Sequence, residues 1–158
     1  HGFDDQGRRF DAAGNLRDWW TPADAKAFEA RTQCTADQYS GYQTTDDLKI
    51  NGKLTLGENT ADAGGLRIAY RALLERAGRT RDPKRDGLSR PQRFFLAYAQ
   101  GWCRNQSDES LRLMTLTDPH SPPRYRVNGV LSVTPEFAAA YRCKPKSPMI
   151  APKQCRTW

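Results

Sequence analysis

Thr55-Leu-Gly-Glu-Asn-Thr-Ala-Asp-Ala-Gly-Gly-Leu66 places two carboxylates, Glu58 and Asp62, four residues apart and just ahead of the glycine pair Gly64-Gly65. On a helix, residues at that spacing share a face. Leu66, Ala69, Tyr70, Leu73, Leu74 and Ala77 follow at core spacing, so the segment reads as a helix with its acids at the start and its apolar stripe beyond. Like charges so placed cost about 0.2–0.5 kcal/mol in an isolated helix. Two readings offset that cost: a cation held between the acids, a metal ion being the sharpest form, or a first turn whose acids complement the helix dipole. Each glycine costs about 1 kcal/mol relative to alanine inside a helix, which implies that another backbone or a ligand comes close at Gly64-Gly65.

Upstream, Gly2 to Asn15 is dense in turn formers and acids and is expected to be loop structure with buried aromatic anchors, followed by the apolar Leu16, Trp19 and Trp20. Thr21-Pro22-Ala-Asp24 is a helix start, with a capping hydroxyl, a proline for the first helical position and an acid near the dipole. That helix runs to about Tyr42, with an inward stripe of Ala27, Ala30, Cys34 and Gln38 flanked by Phe28, Thr35 and Tyr39. Thr44 to Gly52 breaks it. Downstream, Ser89 caps a third helix whose Phe94, Phe95, Ala97, Tyr98, Ala99 and Trp102 point to a place near the centre of the fold. Ser107 to Met114 forms a shorter helix, Thr117 to Pro123 a proline-stiffened loop, Tyr125 to Leu131 a short extended piece, and Thr134-Pro-Glu136 opens a last helix to about Tyr141.

Composition narrows the class. With 158 residues the chain fits one domain, and a mean hydropathy of -0.83 makes it a polar one. No apolar run reaches the roughly 20 residues of a membrane span, and the first residues form no signal peptide. A net charge of +7 raises nucleic acid as a partner, but no nucleic-acid motif accompanies it. The basic concentration of Arg76, Arg79, Arg81, Lys84, Arg85, Arg90 and Arg93 reads as a solvated loop between helices, so no nucleic-acid partner is expected. Four widely spaced cysteines fit no close-spaced zinc pattern and favour disulfides in an oxidising compartment. Of the two histidines, His120 lies among prolines beside Asp118, which can hold its ring in one tautomer.

Taken together, His1-Gly-Phe-Asp-Asp, Asn15-Leu-Arg-Asp-Trp-Trp20, Leu54 to Leu66, Phe94 to Cys103, Asp118-Pro-His-Ser-Pro122, Arg126-Val-Asn-Gly129 and Cys155-Arg-Thr-Trp158 resemble the C-terminal end of neprilysin-type zinc metallopeptidases. The resemblance covers essentially the whole chain. It implies a mainly α fold with little β, the C-terminal helical part of a thermolysin-like (gluzincin) catalytic domain, with residues 1–158 as a single, incomplete domain. It also implies zinc as cofactor and peptides as substrates. His1 would be the second histidine of His-Glu-x-x-His and a zinc ligand, Glu58 the third ligand, and Asp62 the carboxylate that orients a ligand histidine. A catalytic zinc takes three protein ligands and keeps one position open, and a carboxylate on the far ring nitrogen fixes the tautomer of a ligating histidine.

By the same resemblance His120 donates toward the oxyanion of the tetrahedral intermediate, Asp118 is its acidic partner, and Arg126 grips a substrate carbonyl. Cys34 and Cys155 would pair, while Cys103 and Cys143 match cysteines whose partners lie far upstream. The chain begins on the second histidine, so the first zinc histidine and the water-activating glutamate are expected in an upstream part of the same protein. The isolated chain is accordingly expected to be inactive and to hold zinc weakly or not at all. The parent protein is expected to be a zinc endopeptidase or oligopeptidase in an extracytoplasmic location, secreted, periplasmic or membrane-attached. The alternative is a non-catalytic peptide-binding module that lost the metal site.

Overall fold

The first helix starts where its capping chemistry places it. The Thr21 hydroxyl accepts the Asp24 N–H at 3.1 Å, and Pro22 takes the first helical position, where its missing N–H costs nothing. A computed structural model describes residues 1–77 and 83–158 and is mainly α-helical. In chain order, a short 3-10 turn at Gly7–Arg9 precedes α1 (Pro22–Ser40), the hairpin β1 (Gln43–Thr45) and β2 (Leu48–Lys49), and α2 (Leu56–Ala77). Then come α3 (Arg90–Gln100), α4 (Asp108–Thr117), α5 (Pro123–Leu131) and α6 (Pro135–Tyr141). Ser89 caps α3 with a full capping box, its hydroxyl accepting the Gln92 N–H while the Gln92 side chain accepts the Ser89 N–H.

Leu66 of α2, Phe95 of α3, Val130 and Leu131 of α5 and Phe137 of α6 form the core, with Ala63, Tyr70, Phe94 and Val127 packed around them. Tyr125 to Leu131 is therefore helix and not the expected extended piece. Pro123 supplies a pre-set first turn, and helical spacing buries Val130 and Leu131, each gaining about 1.5–3 kcal/mol. That outweighs the few tenths by which β-branched residues disfavour a helix.

Four other expectations shift. The buried stripe of α1 is Phe28, Thr32, Thr35, Ala36 and Tyr39; Ala27 and Ala30 face outward, because Phe28 and Tyr39 carry far more apolar area than an alanine can. In α3 only Phe95 is buried and Leu96 is exposed, so the helix flanks the core and does not cross its centre. Phe3, Phe10, Leu16 and Trp19 are exposed and are not buried anchors; an edge-to-face aromatic run from Phe3 through Trp19 and Trp20 reaches the interior only at Phe28. In α2 Leu66 is buried but Ala69 and Leu74 are exposed, while the side chain of Ala77 lies outside the described residues. Arg79 and Arg81 also lie outside the described residues, and Arg76, Lys84 and Arg85 are exposed.

A disulfide joins Cys34 of α1 to Cys155 in the tail, across 121 residues. Closing so long a loop stabilises by about 4–5 kcal/mol on chain-entropy grounds. Cys103 and Cys143 form no disulfide among the described residues. The tail ends on Trp158, whose indole Cδ1 lies 3.1 Å from where a Cβ on Gly64 would be, so the first glycine of the pair makes room for the tail. At Gly65, no described residue outside the helix's own turn comes within 4 Å of where a Cβ would be. On the far side, the hairpin docks on α4 through Thr115 to Thr44 at 3.1 Å and Arg112 to Asp47 at 2.9 Å, and the Arg112 guanidinium holds the Asp47 carboxyl down at about 2.

Candidate metal centre and active site

Glu58 sits in the first turn of α2 and is the point on which the site converges. One of its oxygens, Oε1, lies 3.3 Å from His1 Nε2. The other, Oε2, lies 3.1 Å from Arg126 Nη2 and 3.4 Å from His120 Nε2. The chain therefore brings together four of the residues singled out in its sequence from three separate places: the first residue, α2, and the α4–α5 corner with α5.

His1 is oriented by a carboxylate that sequence reasoning missed. Asp4 Oδ2 lies 2.6 Å from His1 Nδ1, and Asp4 is itself almost fully buried. Its second oxygen accepts the N–H groups of Gln6 at 3.0 Å and Gly7 at 2.7 Å, while its own N–H donates to the His1 carbonyl at 3.1 Å. The signal was present as an aspartate three residues after a histidine in a turn-forming stretch. Gly57 lets this turn close on α2, since a Cβ there would come 2.9 Å from Asp5 Oδ1. Asp4 holds Nδ1, and Nε2 faces a carboxylate oxygen of Glu58; in the neutral tautomer with its proton on Nδ1, Nε2 carries a free lone pair. A proton on Nε2 or a metal ion between the two atoms satisfies both. Their 3.3 Å separation also equals the edge of a tetrahedral shell with donors at about 2.0–2.1 Å, so the pair fits a zinc ion. Among the described residues, no group of three or more His, Cys, Asp and Glu side chains converges as a complete metal site.

Asp62 closes on Arg126. The guanidinium donates from Nε to Asp62 Oδ2 and from Nη2 to Oδ1, both at 2.6 Å, and this two-pronged pair is largely shielded from solvent. No histidine ring bonds Asp62 among the described residues. Burial lifts the Asp62 carboxyl above its ordinary range, an effect Arg126 only partly offsets. For Arg126, burial acts downward, but the Asp62 and Glu58 carboxylates outweigh it and hold the guanidinium above its ordinary value. Trp102 stacks on the guanidinium at 4.2 Å, and the Tyr98 hydroxyl donates to the Arg126 carbonyl at 2.9 Å. The carboxylates occupy the Nε–Nη2 edge. The two N–H groups of Nη1 make no hydrogen bond among the described residues and can meet a further acceptor.

His120 is fixed locally by Asp118, the residue that ends α4. Asp118 Oδ1 accepts the His120 backbone N–H at 2.9 Å and faces the ring Nδ1 at 2.7 Å. Burial acts upward on the Asp118 carboxyl, but its bonds from His120 prevail and hold it below its ordinary value. Asp118, expected from the sequence to hold the His120 ring, lies within hydrogen-bond reach of its Nδ1. Beyond His1, an open groove of about 530 Å³ runs between α2 and the tail, lined by Phe3, Thr60, Gly64, Ile68, Arg71 and Trp158.

Comparison with known proteins places the arrangement in context. The model of peptidase family M13 matches residues 1–157. Over the whole chain, identity is 49% to neprilysin-1 of Caenorhabditis elegans and 46% to human endothelin-converting enzyme 1. The chain spans 22% and 21% of those two relatives. Among solved structures, the chain superposes over its full length on the inhibitor complex of the Mycobacterium tuberculosis zinc metalloprotease ZMP1, with a TM-score of 0.91 and 38% identity, covering 25% of that chain. On PEPO from Lactobacillus rhamnosis, the TM-score is 0.83 at 33% identity, with 99% of this chain and 23% of the other covered.

Proposed function

The chain belongs to peptidase family M13, and on that premise we propose that the protein is a zinc-dependent endopeptidase or oligopeptidase that hydrolyses peptide bonds. The observation that carries this reading is the facing pair His1 Nε2 and Glu58 Oε1, 3.3 Å apart, with Asp4 bonded to the far ring nitrogen. His1 and Glu58 hold the metal, Asp4 orients the His1 ring, and residues 1–158 form part of a larger catalytic domain. When bound, zinc supplies Lewis-acid polarisation of the scissile carbonyl and a water of lowered pKa.

The remaining residues of the chain act on the substrate. In its imidazolium form His120 donates at Nδ1 to Asp118 and presents Nε2–H toward the side of the site where charge develops on the carbonyl oxygen. Arg126, with one edge clamped by Asp62 and Glu58 and one face covered by Trp102, offers Nη1 to a peptide carbonyl. Asp62, in the complete protein, faces a further ligand histidine and keeps Arg126 in place. The disulfide and the family point to an extracytoplasmic location, and no helix among the described residues is long and apolar enough to cross a membrane.

This chain contributes two of the three protein donors a catalytic zinc requires. The 158-residue polypeptide alone is therefore expected to give no peptide hydrolysis, whereas the complete protein cleaves peptides, stops with a chelator and recovers with added zinc. Chelator-sensitive turnover by the isolated chain would overturn the two-donor assignment. Metal-free peptide binding by the complete protein without any cleavage would favour the binding-module alternative.

A further inference from the structure

One fully buried hydrogen bond links the two halves of the site. Ser121 Oγ donates to Asn59 Oδ1 at 2.8 Å, with Ser121 0% and Asn59 1% exposed. Asn59 directly follows Glu58 on α2, and Ser121 directly follows His120 at the α4–α5 corner, 62 residues away in sequence. Asn59 is braced from behind: its amide donates to Thr55 Oγ1 at 2.9 Å, and the Thr55 hydroxyl donates to the Asn51 carbonyl at 3.1 Å. A buried amide and hydroxyl are costly unless each finds its partner, so this geometry is strongly determined.

The contacts that hold His120 itself are of a different kind. Asp118 is two residues away in sequence and can set the tilt of the ring, but both move together if the α4–α5 corner moves. The His120 side chain is 43% exposed and its 3.4 Å approach to Glu58 is long for a hydrogen bond. Among the described residues, that long approach is the one contact by which the His120 side chain itself meets α2, and it does not fix the distance. The Asn59–Ser121 bond does, with one residue's separation from Glu58 on one side and from His120 on the other.

We infer that Asn59 and Ser121 are a positioning pair that sets His120 in register with Glu58, an inference that rests on the proposed peptidase reading. Neither residue touches the reacting atoms. Their effect runs through the placement of His120, where a displacement of about 1 Å costs on the order of 100-fold in rate.

The test uses the complete zinc-loaded enzyme. Ser121→Ala is expected to lower kcat roughly 10- to 100-fold while KM and zinc content stay within about twofold. Thr32→Val is the control: it removes another buried hydroxyl, bonded to the Phe28 carbonyl at 3.0 Å on α1, and is expected to lower Tm without changing kcat. In Asn59→Leu/Ser121→Ala neither partner is left unpaired, so Tm should recover toward the parent value while kcat stays low. Should the double variant fail to fold, Ser121→Ala against Thr32→Val decides alone. A Ser121→Ala enzyme with kcat within about twofold of the parent, or a double variant whose kcat returns with its Tm, would overturn the inference. Glu58→Ala and His120→Ala made alongside separate the two levels. If those lose activity and Ser121→Ala does not, only the positioning role fails; if those retain activity, the site reading fails with it.

Discussion

Glu58→Ala is expected to strip the complete protein of zinc. Losing a residue that merely supports a ligand typically costs about 10–100-fold in metal affinity, and Glu58 is read as a direct donor, so a loss beyond about 100-fold is expected. The charge arrangement adds to it. Glu58 also receives Arg126 at 3.1 Å, so its removal leaves the guanidinium beside an emptied position and disfavours any cation there. Glu58→Gln keeps the shape and loses the charge, and should fail nearly as badly. Zinc content per molecule, measured by elemental analysis after dialysis, checks both variants.

His120→Ala is expected to separate metal from turnover. Zinc content should stay at the parent level, because His1 and Glu58 are untouched, while kcat falls about 100- to 1,000-fold, the 2.7–4 kcal/mol typical of one lost oxyanion donor. Asp118→Asn should fall in the same direction by a smaller factor, since the ring remains but its acceptor at Nδ1 changes from a carboxylate to a neutral amide oxygen. Steady-state kinetics on one peptide, with zinc measured in the same samples, reads the outcome. Loss of zinc with His120→Ala would move His120 from the substrate to the metal.

The parts of this molecule legible in its sequence are those governed by local chemistry. Thr21, Ser89 and Ser107 each begin a helix because a side-chain oxygen three residues back satisfies an amide that the helix cannot. Tyr125 to Leu131 was not legible, since its residues favour a strand locally and become helix only by burying Val130 and Leu131 against Phe95 and Leu66. The exposed Phe3, Phe10, Leu16 and Trp19 show the same limit from the other side: apolar character marks residues that want cover without saying where this chain provides it.

The candidate site divides in the same way. Its residue types were readable, and the resemblance gave them roles that spacing alone left open between a metal and a charged helix start. Asp4 escaped notice because its part depends on a turn folding back so that one carboxylate meets both His1 and two backbone amides. Asn59 and Ser121 escaped because a contact between residues so far apart in sequence leaves no local mark. Asp62 was read as a partner for histidine, and the structure adds its pairing with Arg126, which ties α5 to α2 directly above Glu58.

The most direct test of the account is the position of the metal itself, read from anomalous scattering at the zinc edge in crystals of the zinc-loaded complete protein. The account predicts a single strong peak within about 2.0–2.2 Å of both His1 Nε2 and Glu58 Oε1. A peak elsewhere, between Asp62 and Asp118 for example, or no peak at Glu58 in a protein that still cleaves peptides, would contradict it.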